Sequence, residues 1–339
     1  MMSLDFSGSL EARGLAQQTL HDQARNLRNQ IFGPTVFVRG VVEVSNFCRE
    51  NCTYCGMRRD NRSLQRFRLE KERLLELLLN ERPASITDIN LQAGEDPVAV
   101  RELVIPLVRE LKAHTKLGVS VCLGTLSERE YRELREAGAD YYIIKLETGN
   151  EAHYRAMQSP GNLPERLQAI RHLAGTGWGV SSGFIVGLPG QTPEMIAETM
   201  ELLASLPLAG CSVSPFIPGD DTPLAGQAVA SLETTLNCVA LMRRASPHRI
   251  IPAVSAMTLV GDRGYTRAIE AGANLATINL TPPQERGDYL LYKRDRNIMT
   301  EERILAEIDR AGCQPATVSI SEYLATHPQP ALVIPPASV

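Results

Sequence analysis

The 339-residue chain has no window of 18 uninterrupted apolar residues, and its N-terminus "MMSLDFSGSL" has no cationic segment leading into an apolar run. These two absences leave nothing to span a membrane and nothing that reads as a secretion signal. Nor is there a block of lysine and arginine long enough to follow a phosphate backbone; 35 Lys+Arg against 39 Asp+Glu leave a formal charge of −4. Nucleic acid is therefore not an expected partner, and the chain is expected to be cytoplasmic. The seven cysteines, at 48, 52, 55, 122, 211, 238 and 313, are odd in number and scattered, which does not suit a disulfide framework. No second C-x₂-C and no H-x₃₋₅-H occurs to complete a structural zinc knuckle.

What is present is alternation. With 43% hydrophobic and 22% charged residues the chain can bury a large core. A helical N-terminal segment, about residues 10–31, spaces Leu10, Leu15, Leu20, Leu27 and Ile31 for one face. Short Val/Ile-rich runs then begin at Val36, Ile86, Leu117, Tyr141, Gly179, Cys211, Arg249 and Asn274, separated by amphipathic helical patterns. Eight such repeats predict an α/β fold, a TIM-type (β/α)8 barrel with an N-terminal helical extension, with a doubly wound sheet as the alternative. The expected division is 1–34 extension, 35–324 barrel and 325–339 a Pro-rich tail.

Within that frame, "VSNFCRENCTYCGMRRDN" puts Cys48, Cys52 and Cys55 on the loop leaving the first strand, the face of a barrel that carries chemistry. Three thiolates are one short of a closed site. A [4Fe–4S] cluster held by three cysteines leaves one iron open to a small chelating ligand, which gives the missing donor a purpose.

"CRENCTYC" is the C-x₃-C-x₂-C pattern by which the chain resembles the radical S-adenosylmethionine (SAM) enzymes, with aromatic Tyr54 before the third cysteine. The resemblance implies a [4Fe–4S] cluster on Cys48, Cys52 and Cys55. It also implies SAM as a second cofactor, cleaved reductively to a 5′-deoxyadenosyl radical that acts on a small molecule enclosed in the barrel. "LQAGED" resembles the family's Gly-Gly-Glu element, so Ala93, Gly94 and Glu95 are expected at the SAM amino group, Ala replacing the first Gly. "KLETG" places Glu147 at the SAM ribose, and Arg166 in "PERLQAI" matches an arginine facing the SAM carboxylate.

"SSGFIVGLPGQT" and "PFIPGDDTPLA" are similar to the branch containing biotin synthase, the hydrogenase maturase HydE and methylornithine synthase, and the cysteine run lies nearest the HydE side. That branch implies a BATS-like C-terminal part within residues 35–324 and HydE-like cofactor maturation. It further implies an electron donor such as ferredoxin or flavodoxin, and a partner maturation protein. The alternatives are radical sulfur insertion of the biotin or lipoyl synthase type, or a non-catalytic iron–sulfur carrier. Against sulfur insertion, only Cys122 in "VCLGTLSE" matches a ligand of the biotin synthase auxiliary cluster, Ser181 standing where another would fall. Cys122, Cys211 and Cys238 are expected in the core, and His153, His172 and His248 on the surface. "GLPGQT" lacks the G-K-[ST] of a phosphate-binding loop. Tyr289 and Tyr292 are candidates for closing one end of the barrel. Arg58, Arg59 and Arg62 either meet an anion or are surface charges.

Overall fold

The computed structural model describes residues 6–327. The tail expected at 325–339 lies outside the described residues from 328 on, and its first two positions close the helix Ile320–Thr326. Seven parallel strands form the wall: β1 (Thr35–Ser45), β2 (Asp88–Ala93), β3 (Gly118–Cys122), β4 (Tyr141–Ile143), β5 (Gly179–Val186), β6 (Gly210–Pro215) and β7 (Leu275–Asn279). They run in the order β6-β5-β4-β3-β2-β1-β7. A helical crossover follows most strands, as parallel pairing requires.

The strand expected from Arg249 is reduced to isolated parallel bridges, Gly210 with Ile250 and Pro252 with Leu275. Cys211 N donates to Ile250 O at 3.0 Å and Ala253 N to Leu275 O at 2.9 Å, so residues 250–253 bridge the first residues of β6 and β7 and join the two edges of the curled TIM-type sheet at its lower end. Pro252 has no N–H to give, which keeps this segment from forming a full ladder. A two-residue strand not expected from the sequence, β8 (Gln314–Pro315), pairs with the first residues of β1.

The N-terminal helix is present as Gly14–Phe32, but its buried face is Gln17, Leu20, Ala24 and Arg28. Leu15 is 82% exposed, and Leu10 belongs to a separate short helix, Phe6–Leu10. The misreading has a physical cause: two polar residues on the true face are satisfied by hydrogen bonds. Gln17 Nε2 donates to Asn237 Oδ1 at 2.9 Å, and Arg28 Nη1 donates to Ala273 O at 3.0 Å. Apolar spacing cannot register such a face. Among the described residues no helix is long and apolar enough to cross a membrane.

An aromatic and aliphatic plug fills the lower end of the barrel. Phe37, Tyr141, Ile250 and Leu275 from the wall meet Ile320 and Tyr323 of the helix Ile320–Thr326. That helix is tied to the wall by Asp88, whose carboxylate accepts from Ile320 N at 3.1 and 2.9 Å. Burial pushes the Asp88 carboxyl up to about 6, against the pull of these hydrogen bonds. An acid whose folded pKa is raised binds its proton more tightly when folded, so its contribution to stability is full below about pH 4 and is lost as pH rises through about 6. Replacing Asp88 by Asn, which keeps an acceptor for Ile320 N, should therefore flatten the melting temperature against pH between about 4 and about 6. Thermal melts at stepped pH check this; an unchanged slope would remove Asp88 as its source.

Candidate active site

Every strand delivers its C-terminal end to one face, and the site is built there from four loops. The loop after β1 carries Cys48, Cys52 and Cys55. It is folded by short backbone bonds, Cys55 N to Cys52 O at 3.3 Å and Arg58 N to Cys55 O at 3.1 Å. Arg66 braces it from behind: its guanidinium donates to the carbonyls of Asn46, Met57, Arg58 and Asn61 at 2.6–3.2 Å. The chain after β7 lies across the same loop. Gly56 N donates to Leu291 O at 3.3 Å and Asn46 Nδ2 to Asp288 O at 2.7 Å, while Tyr289 and Leu290 pack with Met57 and Leu64. Tyr289 thus roofs the cysteine loop, and Tyr292 reaches Ser255 Oγ at 3.1 Å.

The loop after β2 meets the cysteines at Gly94. A Cβ there would stand 2.3 Å from Phe47 O and 2.8 Å from Cys48 Cβ, so only glycine lets the two loops touch. One residue on, Glu95 N donates to Cys48 Sγ at 3.4 Å. The buried Glu95 carboxylate accepts from Arg49 Nε and Nη2 at 3.2 and 3.0 Å, from Arg166 Nη2 at 3.2 Å and from Thr125 N at 3.3 Å. Arg166 also donates to Thr125 Oγ1 at 2.8 Å, leaving its Nε buried without a partner. Burial works to discharge Arg166, but the Glu95 carboxylate holds its pKa above the ordinary value.

Glu147, past the end of β4, occupies the left-handed region at φ 67°, a conformation that costs a non-glycine residue energy and marks functional sites. Its carboxylate accepts no hydrogen bond among the described residues. Burial raises its pKa, opposed by Lys145 and Arg166. Its charge in turn raises the pKa of Cys52, Tyr54, Cys55 and Cys122, which places it at the meeting point of the whole set. The structure thus brings together Cys48, Cys52, Cys55, Tyr54, Gly94, Glu95, Glu147 and Arg166, with Ala93 ending β2 beside Ser45.

Three buried or half-buried thiols on one loop are a donor set of the kind an iron–sulfur cluster takes. Among the described residues no three His, Cys, Asp or Glu donors stand close enough to cage one metal ion. Three ligands of a cubane each hold a different iron, so they are spread more widely than donors around one ion. Burial pushes Cys55 up to about 12 and raises Cys48 and Cys52, and the Cys48 charge adds to both of the others. In the absence of metal these thiols are therefore protonated, and a cluster bound on them would displace protons.

Beneath the site the barrel is hollow. A cavity of about 230 Å³ is lined by Arg39, Glu43, Asn90, Cys122, Lys145 and Ser181 among others. Arg39 is 8% exposed and its Nε has no partner; Lys145 Nζ donates to Ser212 Oγ. Arg296 pairs with Glu43 at 2.6 Å, both nearly inaccessible. Cys122 lines this cavity instead of joining the core, whereas Cys211 and Cys238 are core as expected. His153, expected on the surface, is 5% exposed and sits between Thr148 Oγ1 at 3.1 Å and Pro189 O at 3.0 Å, a brace between two loops. The interior charges were missed, yet their signal was available. Arg39, Val41 and Glu43 share one face of an otherwise apolar strand by period two, and that face points inward.

A curled parallel α/β barrel that carries a three-cysteine loop over the C-terminal ends of its strands defines the class of fold and site. Residues 42–203 match the Radical SAM superfamily. The chain is 33% identical over 322 residues to the [FeFe] hydrogenase maturase subunit HydE of Thermotoga maritima, covering 94% of this chain and 89% of that one. It is 27% identical to the 3-methylornithine synthase of Methanosarcina barkeri, over 91% and 88% of the two chains. The crystal structure of methylornithine synthase (PylB) superposes with a TM-score of 0.83 at 24% identity over 95% of both chains, which shows the shared fold. The chain belongs to the radical SAM superfamily, and its cofactors are a [4Fe–4S] cluster and SAM.

The contact at Gly94 gives a direct test. Gly94→Ala should push the Cys48 backbone away and lower the iron bound after anaerobic reconstitution by more than half, with the circular dichroism of the barrel unchanged. Iron analysis and charge-transfer absorption read the outcome; full iron loading would show that the close approach is dispensable.

Proposed function

We propose that Cys48, Cys52 and Cys55 hold the cluster and that SAM sits between it and the barrel mouth. Tyr54, Ala93, Gly94, Glu95, Glu147 and Arg166 form the SAM seat. The observation that carries this reading is Glu147: an unpartnered carboxylate on a strained backbone, within electrostatic reach of Cys52, Cys55 and Tyr54. Two adjacent ribose hydroxyls would give it the hydrogen bonds it lacks. Arg166, held by Glu95 and Thr125 with its pKa kept above the ordinary value, offers a fixed positive charge that suits a carboxylate. Bound there, the cluster and SAM supply a carbon radical for hydrogen abstraction.

The small molecule acted on lies in the cavity below, where water and competing hydrogen donors are kept away. Of the four charged residues lining it, Arg296 and Glu43 neutralise each other, so Arg39 and Lys145 leave a net positive interior. A small substrate bearing an anionic group fits that balance. HydE-like cofactor maturation is the activity most compatible with it. Sulfur insertion from an auxiliary cluster is less so, because Cys122 is the one thiol in the cavity lining and Ser181 stands on a facing strand. A pure electron carrier has no use for a cavity carrying buried charges beneath the cysteine loop. The electron donor would be a ferredoxin or flavodoxin, a maturation protein would take the product, and the setting would be the cytoplasm.

Anaerobic reconstitution with SAM and dithionite should yield 5′-deoxyadenosine, and Cys48→Ala, Cys52→Ala or Cys55→Ala should each abolish it. A single variant that keeps full activity would overturn the ligand set. Arg39→Gln or Lys145→Gln should raise the substrate KM about tenfold, the loss of one charge-assisted hydrogen bond, while substrate-free SAM cleavage persists. Mass spectrometry of candidate substrates decides the reaction: a sulfur-bearing product from a lipoyl- or dethiobiotin-like precursor would exclude the maturase reading.

A further inference from the structure

Cys122 ends β3 and is the one thiol in the lining of the barrel cavity. Strand pairing sets it opposite Gln92 of β2, which lines the same cavity. Two positions further on, the chain already belongs to the mouth. A Cβ at Gly124 would meet Glu95 Cγ at 2.2 Å, Thr125 N donates to Glu95 Oε1 at 3.3 Å, and Thr125 Oγ1 accepts from Arg166 Nη1 at 2.8 Å. Cys122 therefore stands where the cavity meets the mouth. Charges on both sides reach it, Lys145 and Arg39 from the cavity wall and Glu147 and Arg166 from above.

A second, independent observation marks this cavity as a place for a bound molecule. Arg39 lines it, is 8% exposed, and has its Nε buried without a partner, while its Nη2 donates to Thr277 Oγ1 at 3.4 Å. A buried donor of this kind points to an occupant that brings an acceptor. Cys122 shares the lining with Arg39 and is a free thiol whose Sγ makes no hydrogen bond among the described residues. Burial raises its pKa, against the pull of Lys145, so the sulfur keeps its hydrogen. Attack as a thiolate would require a charge that burial opposes. Giving up a hydrogen atom moves no net charge, so burial does not oppose it. The S–H bond is also weaker than an aliphatic C–H bond and weaker than the O–H bonds of Ser181, Ser212 and Ser214 on the same wall. A carbon radical in the cavity is thus drawn to the sulfur's hydrogen in preference to theirs.

We propose that Cys122 is the hydrogen-atom donor of the cavity, a catalytic residue that quenches the carbon radical formed on the enclosed molecule. The proposal rests on the reading that a cluster and SAM at the mouth start radical chemistry. The Cys122 S–H bond breaks homolytically, the carbon gains the hydrogen with its electron as a new C–H bond, and the sulfur is left as a thiyl radical. One electron from a donor of the ferredoxin or flavodoxin class and one proton from water restore the thiol. Because the sulfur is fixed to the end of β3, the hydrogen arrives from one side of the cavity only.

The test needs no substrate. The protein is reconstituted anaerobically in thiol-free D₂O buffer, which converts the thiol to S–D, and is given SAM and dithionite. Mass spectrometry then reads the 5′-deoxyadenosine released. With no substrate added, the 5′-deoxyadenosyl radical itself takes the hydrogen of Cys122, so the nucleoside from the unaltered protein should carry one deuterium. Cys122→Ser keeps the size of the side chain and replaces the weak bond by a strong O–H. It should bind as much iron as the unaltered protein and lose the label from the nucleoside it forms, and Cys122→Ala should do the same. Tyr292→Phe, which removes another exchangeable hydrogen from the lining, should keep the label. Unlabelled nucleoside from the unaltered protein overturns the proposal and leaves the radical reading standing, as does a label that survives both Cys122 variants or vanishes in Tyr292→Phe alone. No nucleoside at all from the iron-loaded unaltered protein overturns the radical reading, and the role of Cys122 with it.

Discussion

The Glu95 carboxylate is the point on which the mouth of this barrel depends. It joins Arg49 of the cysteine loop, Arg166 of the helix Leu163–Gly175 and the backbone of Thr125 after β3, while its own N–H points at Cys48 Sγ. The loops after β1, β2 and β3 and the helix Leu163–Gly175 are thereby held in one geometry. Removing one partner from such a buried pair leaves a charge without compensation and costs roughly 3–5 kcal/mol, whereas the intact pair contributes little net stability. Its value is positional. Arg166 lies on a helix and Cys48 on the loop after β1, and Glu95, bonded to both through its carboxylate and its N–H, fixes their separation. Gly124 belongs to the same arrangement: a Cβ there would meet Glu95 Cγ at 2.2 Å, and its φ of +76° suits glycine alone.

Below the mouth the barrel departs from the packed interior of most (β/α)8 folds, where layers of branched side chains fill the centre. Here the lower end is plugged, and the upper interior is left hollow, lined by Ser181, Ser212, Ser214, Arg39 and Lys145 together with apolar groups such as Val41, Ile143 and Met299. Gly183 contributes no side chain; a Cβ there would sit 2.0 Å from Ser212 Oγ. Small residues keep the chamber open and the charges give it polarity. An arginine 8% exposed with an unpartnered Nε is costly to keep in a protein interior. The division into a dry plug and a chamber carrying buried charges explains why a strand such as β1 reads both Phe37 and Arg39 on its inner face.

Much of this was legible in the sequence because its signals were local. The cysteine spacing, the strand runs and the Gly-Glu pair after β2 each depend on a few consecutive residues. Long-range features were not. The bridge segment at Ile250 and Pro252 closes the barrel through isolated pairs, and nothing in "RIIPAVSA" tells a full strand from a two-bridge spacer except the proline. Leu15 looked like core because apolar spacing was weighed without the hydrogen bonds that let Gln17 and Arg28 be buried instead. His153 was read as surface because its partners, Thr148 and the Pro189 carbonyl, come together only when two loops fold against each other. Arg66, four carbonyls' worth of support for the cysteine loop, had no sequence signature at all.

Arg66 also clarifies how a loop with three protonated thiols would be ready for the cluster proposed on it. An unsupported eight-residue turn would have to be ordered when the cluster binds, and that entropy would be subtracted from the binding free energy. The guanidinium crosslinks the loop through its own carbonyls, and Leu290 packs so tightly on Gly56 that a Cβ there would stand 2.7 Å from the Leu290 carbonyl. Both supports act on backbone and leave the sulfurs free. The arginine additionally brings positive charge: burial lowers its pKa, while the charges of Cys48 and Cys55 hold it up. The same pairing seen from the thiol favours the thiolate of Cys55, against the larger effect of burial. One residue thus pre-orders the loop and eases the proton loss that cluster binding demands, which a neutral brace of the same shape could not do.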